Sequence, residues 1–236
     1  MSRERVISIL KKYFTDFALI FISVILAFAL TEWSANQGEK VSQSKILTEI
    51  HNGLQSDIKD FKANVSNHKI SIRGVQIFRN WTSGKPVPQD SIAFYYYGLF
   101  RNYTPIINKT GYESLKANNL KTITNDSLRF TIISLYDYSY QIIEKLENSN
   151  SEMQDFSNYF KATNDIISPN LIFDEKGNIK GLQSANKLSG NQKKELMSYF
   201  WRMEINKKFK VIRYNEVIKK QNELQILINE ELRKDQ

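Results

Sequence analysis

The sequence predicts an all-α protein: an N-terminal transmembrane helix, then an elongated antiparallel bundle of three long helices with a cap of short helices and one small hairpin or loop. Three observations carry this. Gly (9) and Pro (4) are scarce in 236 residues, and β folds spend those residues on turns. Apolar residues recur at helical 3/4 spacing over three long stretches. One run near the N-terminus is apolar all round, with no polar face.

Composition bounds the rest. A chain that is 41% hydrophobic and 25% charged is folded rather than a disordered polymer. No internal repeat is evident. The absence of Cys excludes disulfides, thiolate metal sites and Cys nucleophiles, and suits the cytosol and a bacterial periplasm equally. The formal net charge of +8 is spread along helices. It reads as solubility with attraction to anionic headgroups.

Residues 1–12 (Arg3, Arg5, Lys11 and Lys12 against Glu4) form a basic start, expected as a short cytoplasmic segment. The transmembrane helix is placed at 13–33. Phe17–Leu30 holds no charge, and Ser23 is its one polar residue. Alone it covers about 21 Å, short of a hydrocarbon core of about 30 Å. Tyr13, Phe14 and Trp33 supply interfacial aromatics that extend it, with Asp16 and Glu32 at headgroup level. Phe17, Ser23, Ala27, Leu30 and Trp33 are the anchor residues. A cleaved export signal is the main alternative: basic residues precede the run and Ala27-Phe28-Ala29 has small-x-small form, but no polar spacer precedes Leu30. Four Lys/Arg before the span, against Lys40 and Lys45 after it, point the N-terminus to the cytoplasm. The expectation is a single-pass protein of the inner membrane with its bulk in the periplasm. Leu19, Ser23, Ala27 and Thr31 share one face; small residues at that spacing let helices approach closely, and chance in an Ala- and Ser-containing anchor is the favoured alternative.

The extracytoplasmic domain is placed at 34–236. A first long helix, about 35–82, carries Leu47, Ile50, Leu54, Ile58, Phe61, Val65, His68, Ile72, Val75 and Phe78, and ends at Gly84-Lys85-Pro86-Val87-Pro88. Residues 89–120 form the short-helix cap, with Asp90 as an N-cap and a break at Pro105. A second long helix, about 126–168, is capped by Asn125 and carries Leu128, Ile132, Leu135, Ile142, Leu146, Met153, Phe156, Phe160 and Ile167. Residues 170–190 form the hairpin or loop. A third long helix, about 191–234, carries Leu196, Phe200, Met203, Phe209, Ile212, Leu224, Leu227, Ile228 and Leu232. The chain is expected to rise from the membrane, turn through a cap at the tip, come back and go out again. Seams within one chain or between chains both fit this spacing.

No catalytic constellation stands out. His51 and His68 lie about 25 Å apart on one helix and cannot share a metal within one molecule; His68, on the seam, reads as a satisfied core or partner-facing histidine. The carboxylates occupy helical solvent positions, and nothing nominates a working pair. Ser83-Gly84-Lys85 lacks the upstream Gly of a phosphate loop, and Pro86 stands where Ser or Thr belongs. Neither cofactor nor metal is expected, and the chain is expected not to be an enzyme. Tyr95-Tyr96-Tyr97-Gly98-Leu99-Phe100-Arg101 mixes aromatics with a base, but on helical signals, so it reads as cap packing or a binding surface and not as a nucleic-acid platform. Trp81, Tyr95, Tyr96, Tyr97, Tyr112 and Glu113 are the candidate partner or ligand surface.

Two stretches carry a resemblance: ALIFISVILAFALTEWSANQ at 18–37, and TGYESLKANNLKTITNDSLRFTIISLY at Thr110–Tyr136. Together they resemble an uncharacterised family of small single-pass membrane proteins common in Bacteroidetes. Ser23 stands where a Gly is usual, and Glu32-Trp33-Ser34 replaces Asn-Trp-Asn. The resemblance implies a retained anchor and no assigned activity. In this reading Tyr112, Leu115 and Leu120 pack the cap on the bundle tip, and Asn125 and Asp126 cap the returning helix. The expected function is a non-enzymatic, membrane-anchored scaffold or interaction protein of the bacterial envelope. Its partners are the lipid bilayer and a protein partner or a second copy, with no nucleic acid. The alternative is a periplasmic small-ligand sensor near Trp81 and Tyr95–Tyr97. A hydrolase would need converging carboxylates or His.

Overall fold

In the computed structural model, which describes residues 3–148 and 156–234, the fold is all-α with one two-stranded sheet. The elements are α1 (Arg3–Thr82), α2 (Ile92–Phe100), α3 (Thr110–Asn118), α4 (Asp126–Ile133), a π-helical segment (Ser134–Tyr140), α5 (Gln141–Asn148), α6 (Phe156–Ile167), β1 (Leu171–Phe173), β2 (Ile179–Leu182) and α7 (Gly190–Lys234).

α1 is one unbroken helix of 80 residues, about 120 Å long. Nearly all its side chains from Phe14 to Val41 are exposed, and Gln43 is the first buried one. From there its seam is covered at Ile46, Leu47, Ile50, Leu54, Ile58, Phe61, Val65, His68, Val75 and Phe78. Ser71 takes the buried place in the turn where Ile72 was expected, and its hydroxyl donates to the Gly98 carbonyl. Gly84 ends the helix at φ +76°, with its N–H donating to the Trp81 carbonyl and the Lys85 N–H to that of Asn80. That pair of reversed bonds needs a left-handed residue, which glycine adopts without strain.

α7 runs antiparallel to α1: Phe200 meets Phe78, Glu204 pairs with Arg79, and Tyr214 meets His68 and Phe61. Its buried seam steps by three and four through Leu196, Phe200, Met203, Lys207, Lys210, Tyr214, Val217, Gln221, Leu224, Ile228 and Glu231, with Glu204 buried beside Met203. Phe209 and Ile212 are off this seam, and Ile212 is exposed.

Residues 89–120 are not a cap at the tip. The segment 83–124 travels back down α1: Tyr95 lies beside Gly74, Tyr103 beside His68, and Gly111 against the backbone of Glu49 and Ile50. The Thr124 N–H then donates to Gln43 at the base. Asn125 caps α4 as expected, accepting from the Leu128 N–H, and its amide donates to Glu231 near the end of α7. Asp90, the other expected N-cap, makes no capping bond. The direction of travel therefore differs from the expectation. The short-helix stretch is the return path, α4 to α6 rises alongside α1, and α7 descends. Tyr112 and Leu115 pack near the base, not the tip.

The second long helix also differs. The π-helical turns between α4 and α5 shift the apolar phase, so Ile143 is buried where Ile142 was expected, together with Tyr136 and Tyr140. Met153 lies outside the described residues. The hairpin at 171–182 forms as expected, with Leu171 opposite Leu182.

Two apolar clusters result. The proximal one joins Leu47, Leu54, Leu128, Tyr140, Val217 and Leu224. The distal one joins Phe78, Trp81, Leu99, Ile167, Leu182 and Phe200. A Cβ on Gly111 would lie 2.6 Å from the Ile50 nitrogen. Gly111→Ala is expected to push α3 off α1 and to cost about 1–3 kcal/mol, read by urea denaturation.

Candidate functional site

The expected surface residues fall in three places. Trp81 is buried in the distal cluster, where its indole N–H donates to the Gln183 carbonyl at 2.7 Å. Tyr95 packs on that cluster, against Gly74. Tyr96 and Tyr97 line a distal groove with Phe100, Arg101 and Phe160. Tyr112 and Glu113 lie far below, in a proximal groove. Their landmarks on α1, Gly74 and Ile50, are separated by about 36 Å of helix, so the six residues do not make one surface.

The proximal groove encloses about 310 Å³ between α3 and the π-helical segment. Tyr112 is buried, stacks on Tyr136 at 4.5 Å, and donates its hydroxyl to Asp137 at 2.5 Å. The rim charges answer one another: Lys116 with Glu113 at 3.3 Å, and Lys109 with Glu144 at 2.6 Å. Desolvation and the Asp137 carboxylate raise the Tyr112 pKa, so its hydroxyl stays protonated. Tyr112 thus fastens α3 to the π segment, and Glu113 is half of a surface pair.

Between the two apolar clusters lies a polar layer that periodicity did not reveal. Lys210 and Glu147 form a buried ion pair at 2.7 Å, and the Tyr214 hydroxyl donates to the same carboxylate at 2.6 Å. Lys207 is buried and donates to the Arg101 carbonyl at 3.0 Å. The His68 Nε2 lies 2.8 Å from the Tyr103 carbonyl, and among the described residues its Nδ1 has no partner. Burial, with the charges of Lys207 and Lys210 nearby, pulls the His68 pKa down to about 3, so the ring is neutral. His68 is a core histidine, as expected, though only half satisfied.

Lower down, Asp57 accepts from the Asn108 N–H at 2.9 Å and from the Tyr140 hydroxyl at 2.8 Å, and Gln221 donates to that hydroxyl. Burial outweighs these bonds and pushes Asp57 up to about 6. Asp57 and Glu147 therefore correct the expectation that the carboxylates sit at solvent positions. Each sits next to a residue that apolar spacing already assigns to the seam, Ile58 and Leu146, so the pattern gives no sign of it.

The expected anchor residues Phe17, Ser23, Ala27, Leu30 and Trp33 stand bare on α1. Their segment is long and apolar enough to cross a membrane, and none of it is buried against the protein. The Ser23 hydroxyl donates to the Leu19 carbonyl and that of Thr31 to Ala27, so both are satisfied within the helix, as a bilayer interior demands.

Among the described residues, no three His, Asp or Glu side chains cluster to hold a metal ion. A scan against family models finds no match, and searches of curated proteins and of solved structures return no similar chain. The functional reading rests on this chain's own geometry.

The polar layer has a pH signature. Burial, with Lys210 nearby, lowers Lys207 from 10.5 to about 8. Between those values the unfolded chain holds a proton that the folded one has released, so stability rises with pH. Raising the pH from about 7.5 to 9.5 is expected to add about 1–2 kcal/mol to unfolding in urea, and Lys207→Met is expected to abolish that gain. Lys210→Met leaves the Glu147 carboxylate without its counter-charge and is expected to cost about 3 kcal/mol or more.

Proposed function

We propose that this chain is a non-enzymatic, membrane-anchored interaction module of the bacterial envelope. The observation that carries the proposal is the continuity of α1. A bare apolar segment runs, without a break in the helix, into a stretch that contributes to both clusters. Such a helix anchors and also fixes height and orientation, because bending it costs backbone hydrogen bonds. In this reading α1, α7 and the shorter helices α4, α5 and α6 form one shaft. The N-terminus lies in the cytoplasm and the bulk in the periplasm, as the Lys/Arg bias suggests.

The surface assigned to the partner is the outer face of α7. Trp201, Ile205, Ile212 and Ile226 are exposed there, at steps of four, seven and fourteen residues that keep them on one side of the helix. This face replaces the expected distal cap as the docking surface. A protein helix, from another envelope protein or a second copy, is the complement to such a stripe.

Because the chain has no Cys, single substitutions report cleanly. Ile205→Cys and Ile212→Cys, in full-length protein in native membranes, are expected to give a discrete crosslinked band with a thiol–amine crosslinker, and Lys85→Cys none. The protein is expected to stay in the membrane through alkaline carbonate. Extraction by carbonate would refute the anchor, and identical labelling at all three positions would refute the docking face.

A further inference from the structure

The distal groove has a chemistry that neither the anchor nor the α7 face uses. Its walls are aromatic rings from three elements: Tyr96, Tyr97 and Phe100 of α2, Phe160 of α6 and Phe173 of β1. They border about 620 Å³, within the range of small-molecule sites. Tyr97, Phe160 and Phe173 remain 58%, 41% and 54% exposed, a large apolar area left to water. The walls are set in place beforehand. Phe100 meets Phe160 edge-on at 4.8 Å and Tyr96 at 5.3 Å, and the Tyr96 hydroxyl donates to the Asn164 side chain. The hairpin turn on the third side is pinned by Asp174, which accepts from the N–H groups of Lys176 and Asn178. Binding there would therefore cost little ordering.

Charge then selects the ligand. Among the described residues, Arg101 is the one cationic residue lining this groove, and no carboxylate lines it. Its guanidinium lies 4.0 Å over the Tyr97 ring, and among the described residues it makes no ion pair. A guanidinium stacked by its face keeps its N–H edge for a planar acceptor, which it grips with two parallel bonds. An aromatic enclosure alone would suit a cation; the fixed positive charge here opposes one. The nearby Asp174 carboxylate is engaged by its own turn.

We infer that the distal groove binds a small aromatic carboxylate. The ring lies among Phe100, Phe160 and Phe173, and the carboxylate meets the Arg101 fork. This site is independent of the partner face on α7: a failed crosslink there leaves it standing, and the converse holds.

The test uses the full-length protein in detergent, titrated calorimetrically with biphenyl-4-carboxylate, its primary amide and the corresponding benzylic ammonium. The carboxylate is expected to bind at least about tenfold more tightly than the amide, and the ammonium least. Arg101→Gln is expected to bring the carboxylate down to the affinity of the amide and to leave the amide unchanged. Phe160→Ala is expected to weaken both. Equal binding of carboxylate and amide to the unaltered protein would overturn the inference, as would no carboxylate binding at about 1 mM. The analogue series on the unaltered protein decides the matter even if a variant fails to fold.

Discussion

The architecture depends on satisfying the backbone of one non-helical stretch. Residues 101–109, between α2 and α3, belong to no helix or strand, so their backbone groups find no regular partners of their own. α1 and α7 supply them. The Arg101 carbonyl accepts from Lys207, and the Tyr103 carbonyl from His68 and Tyr214. The Ile106 and Asn108 N–H groups donate to Asp60 and Asp57. Polar residues therefore interrupt two otherwise apolar seams. An unmet buried backbone group costs about as much as a lost hydrogen bond, and the lysines, histidine and aspartates avoid that cost.

The same layer sets register. The seam of α7 steps so regularly that sliding it along α1 by one heptad would still match apolar rows. Such a slip would take the Lys207 and Lys210 amines off the Arg101 carbonyl, the Asn102 side chain and the Glu147 carboxylate that hold them. Removing the partner of a buried charge is far more costly than mismatching two leucines. The buried ion pair thus excludes the wrong alignment more than it strengthens the right one.

Much of the helical content was legible because apolar spacing records it directly. The seam of α1, the start of α4 at Asn125, the hairpin and the bounds of α7 all leave local signals. The course of the chain was not legible, since direction is fixed by contacts remote in sequence, such as Thr124 to Gln43 and Asn125 to Glu231. A periodicity argument also treats Asp57, Lys207 and Lys210 as solvated and looks for seams among the apolar residues nearby. That is how Ile212 was placed on the seam. The π-helical turns had a similar effect, moving burial from Ile142 to Ile143, and nothing in Ser134–Tyr140 announces them. Of the candidate surface, the tyrosine run led to a real groove, while Trp81 and Tyr112 are packing residues. Arg101, four residues past the Tyr95–Tyr97 cluster and at the end of the same aromatic run, lay outside the candidate surface.

The unbroken course of α1 also works as a measuring rod. If the bilayer surface lies near Trp33, the level of Gly74, beside Tyr95 of α2, is about 60 Å further along the axis. A tethered domain on a loose linker would sweep a hemisphere and meet molecules at any depth. One mounted on a continuous helix patrols a thin shell instead. Whatever engages the groove must come to that altitude, and a change of one helical turn in the exposed stretch between Trp33 and Gln43 would move the shell by about 5 Å and rotate the groove to almost the same bearing.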